Sequence, residues 1–587
     1  MRAHATRANC TRTLHQHTLA ALLLATMGWL LLASMSDESP TSDEPWHLTR
    51  GLAFYWGTGA SLSYAHPPLG NAFAALPIVL REPAIDLTQF DGYEAGEVER
   101  VAAELLTPNY ETRRKWFFEG RSMIAGLSVA LGAYFYAFAR TLFGPTVALV
   151  TLFFYALHPT IIAHGRLVTT DLPATASMVC SLCELLLYVQ WRSRWHVLSA
   201  GLFLGVALAT KHTGLLLLPL LATILLAAAA FGVGRYSCGR SARRLAHASI
   251  ILVLLALLGG LVVNAAYGFQ RTGMRVRDML ELPEPVNPIT AGYQGQLLEQ
   301  RSILRFLPSG MRIPLPYTYL YGVTSIQAHD ARGHSTVFFG RRQEHGSSAY
   351  FPVLLAIKTP ALHLAGLAGG LVVLWRRRRV NVTTALIVAY CAGFLLVATR
   401  SSINIGARHV LPIVPWLSIL AAQGAVAVYR AAETMRLRPH LVTCLVVAHV
   451  WGATWSFPDY LSDFNALVGG RRGGQRISIV GEEWGQDIGR LGSAVRSLGV
   501  SHLQFDAKPF TSRLELERLG IEVRNFECKH AAASHAFVAV SARDRARDTQ
   551  GCYSWLGDRQ PLIDIHGHIW VFGPDDATQR RLRHRQD

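Results

Sequence analysis

The feature that most constrains this chain is the recurrence of apolar runs, each close to the length that a bilayer core demands. They fall at roughly 18–35, 121–140, 145–163, 172–190, 197–210, 214–232 and 247–268. After a long polar interval they resume at roughly 350–375, 381–399, 409–429 and 441–457. A length of 587 residues would otherwise argue for several soluble domains, a prior that fails when such runs recur. Composition agrees: 16% of residues are charged and 51% are hydrophobic, against about a quarter charged in soluble chains. The expectation is an α-helical polytopic membrane protein of about eleven transmembrane helices. The first run follows a basic leader with Arg2, Arg7 and Arg12. It lacks a good small-x-small cleavage pattern, so it reads as a retained signal anchor rather than a cleaved signal peptide.

A formal net charge of +17 would suggest nucleic acid if the basic residues formed a stripe on a soluble domain. Here they punctuate the gaps between apolar runs, as cytoplasmic loops do, and no nucleic-acid partner is expected. With the N-terminus in the cytoplasm, every strong basic cluster falls inside, from the leader to Arg376–Arg379 and the stretch Arg430 to Arg438. The outside segments are then 36–120, 164–171, 211–213, 269–349, 400–408 and the tail from 458. The tail reads as a small α/β domain. RISIVG (476–481), HLQF (502–505), HAFVAV (535–540) and HIWVF (568–572) are strand candidates. Ile488, Leu491, Val495 and Leu498 mark one face of a helix. The organisation is therefore a transmembrane domain over 1–457, with outer loops 36–120 and 269–349, and an extracytoplasmic domain over 458–587. Helical texture recurs in the first loop at GEVERVAAELL (96–106). Cys180 and Cys183 lie in an apolar run and read as buried small side chains. Cys528 and Cys552 lie in the tail, where an oxidising compartment would permit a disulfide.

Once this topology is drawn, polar residues in or beside the apolar runs collect on one side. Asp43-Glu44 follows the first helix, and His66-Pro67-Pro68 lies in the same loop. Arg121 opens the second helix, Arg166 and Asp171 frame the turn before the fourth, and Lys211 follows the fifth. Lys358 lies near the outer end of the eighth, and Arg408-His409 opens the tenth. Each has a plain structural alternative: a loop acid, a helix cap for Asp171, a snorkelling anchor for Lys211 or Arg408. Charged groups at such depth usually face a cavity or a partner. Acids and bases converging on one membrane face suggest a site for an anionic ligand.

The order of these motifs resembles the phospholipid-carrier-dependent glycosyltransferases of the GT-C fold. Within them it is most similar to the protein O-mannosyltransferase-like family (family 39) and its aminoarabinose-transferase relatives. The resemblance rests on SDEPWH (42–47), HPPLG (66–70), GRSMIAGL (120–127), HGRLVTTDLPAT (164–175) and ATKHTGLLLLP (209–219). YFPVLLAIKTP (350–360), NIGARHVLPIVP (404–415) and FPDYLSDFNALVGG (457–470) resemble a bacterial branch with a C-terminal soluble domain. That branch's usual Asp-Trp-Gly-Gln-Asp stands here as Glu483-Trp484-Gly485-Gln486-Asp487.

The resemblance implies transfer of a sugar from a polyprenyl-phosphate donor to an acceptor hydroxyl on the extracytoplasmic face, with inversion. Asp43 is then the expected base, Glu44 its neighbour, and Asp171 a positioning acid for the sugar or a divalent metal ion. Arg121, Lys211 and Arg408 are expected at the donor phosphate. His66, Arg166, Lys358 and His409 complete the candidate set. The bilayer is one partner, and the acceptor is a protein, a lipid or a glycan. The host membrane is expected to be a bacterial plasma membrane. A transporter or flippase is the alternative from another class. It should show repeated halves and mid-membrane polar groups, whereas here no repeat is visible and the polar set gathers at one end.

Overall fold

A computed structural model describes residues 2–285, 293, 295–377, 381–432, 438–479, 483–526, 528, 536–557 and 559–575. Among these the apolar runs are helical, but they are not uniform rods. Six helical segments are long and apolar enough to cross a membrane: Thr13–Met35, Val98–Phe143, Asp171–Trp191, His212–Ala230, Ser241–Ala266 and Ala407–Ala431. Tyr350–Lys358 and Ala361–Val372 make a seventh if counted together, bent by 112° around Pro360, which has no N–H for the ladder. Other runs expected as whole spans are shorter helices: Pro145–Ala156, Arg194–Leu208 and Val382–Ala398. The run at 145–163 breaks before Pro159, which starts a separate helix, Pro159–His164.

Helix Asp171–Trp191 is enclosed on almost every side, packed on Arg194–Leu208, Tyr110–Phe143 and the 3₁₀ stretch Ala407–Ile413. Trp416 anchors the centre, edge-on to Phe135 and Phe138 and beside Tyr390. Helices Ala361–Arg377 and Val414–Ala431 cross closely on small residues. A Cβ on Gly424 would lie 2.0 Å from the Gly366 carbonyl oxygen, so only glycine permits that approach.

Between the first span and Val98 lie two amphipathic helices, Glu44–Trp56 and Leu69–Arg81, packed on each other. The expected first-loop helix is present over Val98–Leu106. The second polar interval contributes Tyr317–Arg332 and a hairpin of β1 (Thr336–Phe338) and β2 (Arg341–Gln343).

The tail is α/β. Its sheet uses β3 (His502–Gln504), β4 (Glu522–Arg524), β5 (Phe537–Ser541), β6 (Ile563–Ile565) and β7 (Ile569–Phe572), in the order β4-β3-β5-β7-β6. The β3–β4 and β3–β5 pairs are parallel; the rest are antiparallel. Helix Ile488–Ser497 places Ile488, Leu491 and Val495 in the core beneath. Three expected strands are thus present, although His535 lies outside the described residues, and β4 and β6 are additional. The described part of RISIVG, residues 476–479, does not join the sheet. Arg476 and Ile477 lie in a turn after helix Gly470–Gln475, and Ser478 makes one isolated bridge to Phe338. Val480 and Gly481 lie outside the described residues. Its apolar side chains serve the contact with the membrane domain instead: Ile479 packs with Val337 of β1. Cys528 and Cys552 form a disulfide.

Candidate active site

The chain after the first span turns at Asp43, which sits at the N-cap of helix Glu44–Trp56 with Pro45 in its first turn. Pro suits that position because its missing N–H would have no helical partner there. Consecutive residues at a helix start point about 100° apart, so the two neighbouring acids part company.

Glu44 turns inward and is fully buried. Its carboxylate accepts from Arg121 Nε at 2.8 Å and Nη2 at 2.6 Å. It also accepts from the Thr41 N–H at 2.7 Å, the Thr41 hydroxyl at 3.0 Å and the Val168 N–H at 2.9 Å. Burial would raise its pKa, but Arg121 and these N–H groups outweigh it and hold the carboxyl below its ordinary value. Arg121 spends its other N–H groups on the carbonyls of Met35, Glu38 and Ser39. All its donors end on protein oxygen, which leaves none for a phosphate. Arg121, expected at the donor phosphate, and Glu44, expected beside Asp43 as its neighbour, are bonded to each other in a buried tie between the first span, the first loop and the turn at Val168. Arg166 is similar. It donates to the Ser34 carbonyl at 2.6 Å, Glu38 at 2.7 Å and the Pro458 carbonyl at 3.2 Å, with no exposed surface. Lys358 reaches the Leu461 carbonyl at 2.6 Å and lies over Phe464. It ties the bent span to the segment that follows helix Arg438–Trp455.

Asp43 turns the other way. It accepts from Arg408 Nη1 at 2.6 Å, with side-chain exposures of 23% for Asp43 and 11% for Arg408. Burial would raise its pKa, yet Arg408, then His47, outweigh burial and keep the carboxyl below its ordinary value. Arg408 stands where the 3₁₀ stretch Ala407–Ile413 leads into helix Val414–Ala431. Across from it, Asp171 begins its helix and accepts from Lys211 Nζ at 2.5 Å. Asp171 is within electrostatic reach of both Asp43 and Arg408. Two ion pairs therefore share one end of the bundle.

Imidazoles fill the remaining wall. His47 Nδ1 lies 2.9 Å from Asn71 Oδ1, and its ring is 4.9 Å from that of His66. Burial, then Arg50, lowers His47 to about 4; burial and His47 push His66 well below its usual value. Both are neutral at physiological pH. His409 is half-buried and stacks on Phe351. Of the ten candidates, Asp43, His66, Asp171, Lys211, Arg408 and His409 gather here, while Glu44, Arg121, Arg166 and Lys358 serve as internal ties.

Three residues were missed. His47 and Arg50 lie four and seven residues beyond Asp43, spacings that share one helix face, so a helical reading of EPWHLTR would have found them. Arg50 is buried, and its Nε donates to the Leu62 carbonyl at 3.3 Å. Trp484, whose ring lies against the Arg408 guanidinium, stands in the Glu483–Asp487 motif, to which the sequence reading gave no place at the site.

One group among the described residues has the spacing of metal ligands: Asp459, Asp487 and His566. Arg490 Nη1 already donates to both acids at 2.5 Å, which puts a cation where a metal would stand. None of the three belongs to the expected set around Asp171.

The fold and this site define an integral membrane protein with paired acids and bases at one end of its apolar helices. Residues 118–261 match the sequence profile of the dolichyl-phosphate-mannose-protein mannosyltransferase family, a stretch that carries Arg121, Arg166, Asp171 and Lys211. No curated protein matches the chain in sequence. Among solved structures, it is similar to ArnT from Cupriavidus metallidurans bound to undecaprenyl phosphate. Identity is 13%, coverage 95% of this chain and 98% of that one, and the TM-score 0.44. It is also similar to the oligosaccharyltransferase AglB from Archaeoglobus fulgidus, in complex with an inhibitory peptide and a dolichol-phosphate. There identity is 9%, coverage 93% and 71%, and the TM-score 0.46.

Proposed function

We propose that this chain is a GT-C-type glycosyltransferase that moves a sugar from a polyprenyl-phosphate carrier to an acceptor hydroxyl. The observation that carries the reading is the facing of Asp43–Arg408 and Asp171–Lys211 at one end of the apolar helices. The match of residues 118–261 to a mannosyltransferase profile supports it. The acceptor oxygen attacks the anomeric carbon, its proton passes to Asp43, and the bond from that carbon to the phosphate oxygen breaks. The phosphate leaves with the bonding electrons, and one displacement inverts the centre. Asp43 is ionised but held weakly basic by Arg408. When Arg408 swings toward the arriving phosphate, the carboxylate loses its counter-ion and gains basicity, which couples donor binding to base activation. Lys211 supplies the second cation, and Asp171 positions it and the sugar. The site faces the extracytoplasmic side of a bacterial plasma membrane, with the N-terminus in the cytoplasm, an orientation the placement of the basic clusters supports. The acceptor is a hydroxyl of a protein, lipid or glycan.

The test is donor consumption. Purified protein given a polyprenyl-phosphate sugar and an acceptor extract should release polyprenyl phosphate, and Asp43→Asn should slow that release about 10²–10⁴-fold. Turnover at the wild-type rate in the variant would remove Asp43 from its role. No release by the wild type with any of a panel of lipid-phosphate sugars would sink the activity itself.

A further inference from the structure

We propose that Trp484, from the C-terminal domain, is a positioning residue for the Asp43–Arg408 pair, so that this domain completes the reaction site. The proposal rests on the functional reading above and extends it to a part of the chain with no role assigned.

Trp484 touches both halves of the pair's support. Its indole lies under the Arg408 guanidinium, 4.0 Å from the ring centroid to the central carbon. Its backbone carbonyl accepts from the N–H of Ser42 at 2.8 Å and from the Ser42 hydroxyl at 3.1 Å, one residue before Asp43. The flanking residues extend this clasp. The Ser39 N–H donates to the Gln486 carbonyl at 3.1 Å, and the Gly489 N–H donates to Ser39 Oγ at 2.8 Å. Segment 484–489 therefore grips residues 39–42 by four hydrogen bonds while the indole braces the arginine opposite.

The ring is itself well fixed. The backbone N–H of Trp484 donates to Gln486 Oε1 at 2.7 Å, His164 stands edge-on to the indole at 6.3 Å, and only 6% of the residue is exposed. An aromatic face attracts a guanidinium without using its N–H groups. Among the described residues, Arg408 makes its one hydrogen bond to Asp43. The indole thus restricts the plane in which Arg408 moves and leaves its remaining donors for an incoming anion. A hydrogen-bonding partner in the same place would compete with that anion. The arrangement suits a cation that must exchange a carboxylate for a phosphate without leaving the site.

The experiment compares the full-length wild type with Trp484→Phe, Trp484→Leu and Trp484→Ala in the donor-release assay across pH, with melting temperatures alongside. Trp484→Leu keeps apolar bulk but has no aromatic face. Trp484→Leu and Trp484→Ala should lower kcat about 10- to 100-fold with donor KM within about threefold, the mark of lost geometry in the transition state. Their acidic activity limb should move to higher pH, because a looser Arg408 no longer holds Asp43 ionised. Trp484→Phe should restore both quantities. Should Trp484→Ala not fold, Trp484→Leu at wild-type melting temperature decides. Wild-type kcat and an unmoved acidic limb in Trp484→Leu would overturn the proposal, as would Trp484→Phe being impaired as badly as Trp484→Ala. Hydrogen exchange across residues 39–44 separates this from the functional reading. Faster exchange in Trp484→Leu supports the clasp whether or not the wild type transfers sugar, and unchanged exchange counts against it.

Discussion

Glu44–Arg121 and Asp43–Arg408 are ion pairs built on adjacent acids, and the contrast between them separates framework from function. Both contacts are 2.6 Å long. The first has no measurable access to solvent on the acid and 2% on the base, with every donor and acceptor used within the protein. The second retains 23% and 11% and has one hydrogen bond joining it. A saturated buried pair can hold a fold together but cannot meet a substrate. A half-open pair with spare donors can do both in turn.

The largest effect that would break this contrast is on activity. Asp43→Asn should cost about 10²–10⁴-fold in turnover, the usual span for a lost general base, with a melting temperature near wild type. A variant that instead fails to fold would make Asp43 a second strut. Next, Glu44→Gln should destabilise by about 3–5 kcal/mol, the scale for breaking a buried pair and stranding the other charge. Thermal unfolding in detergent would read it, and unimpaired stability with lost turnover would reverse the two roles.

Lys211→Met should reduce turnover by about 10²–10³-fold, the range for losing one electrostatic stabiliser, with a smaller loss of folded yield; an equal loss in both would make Lys211 structural. The pH dependence is subtler. The folded pKa values of Asp43 and Glu44 lie below their ordinary ones. Their contribution to stability is therefore complete above the unfolded carboxyl range, and is lost as pH falls through the folded values. Acid denaturation of wild type and Glu44→Gln should converge at low pH. Curves that stay parallel would show that Glu44 is not held down by Arg121. The smallest effect is at the rim. Glu515 accepts from Tyr110, Arg114 and Arg518, so Arg114→Ala leaves two donors behind and should cost about 1 kcal/mol or less.

The two pairs also show how much of the site could be read in advance. HPPLG, TTDLP and ATKHTG stood out as polar islands between apolar runs, and Asp43, Asp171, Lys211 and Arg408 do meet. Arg121 and Arg166 stood out for the same reason, yet both are spent on backbone carbonyls of residues 34–39 and 458. A charge bordering an apolar run looks identical in sequence whether it faces a cavity or a carbonyl. The span count shows a related limit. Pro159 and Pro360 are visible as residues, but how sharply each bends its run depends on what packs around the break.

The sequence by itself determined that this chain lives in a bilayer, which end of its helices gathers charge, and that a small α/β unit follows. Those properties come from local runs of side-chain polarity, and solvation reads them one segment at a time. Only the tertiary structure decided which acid is sealed and which is open, and that Trp484 reaches Ser42, beside Asp43, from more than 400 positions away. Partner choice depends on which groups have donors left after packing, a quantity set by the assembled whole.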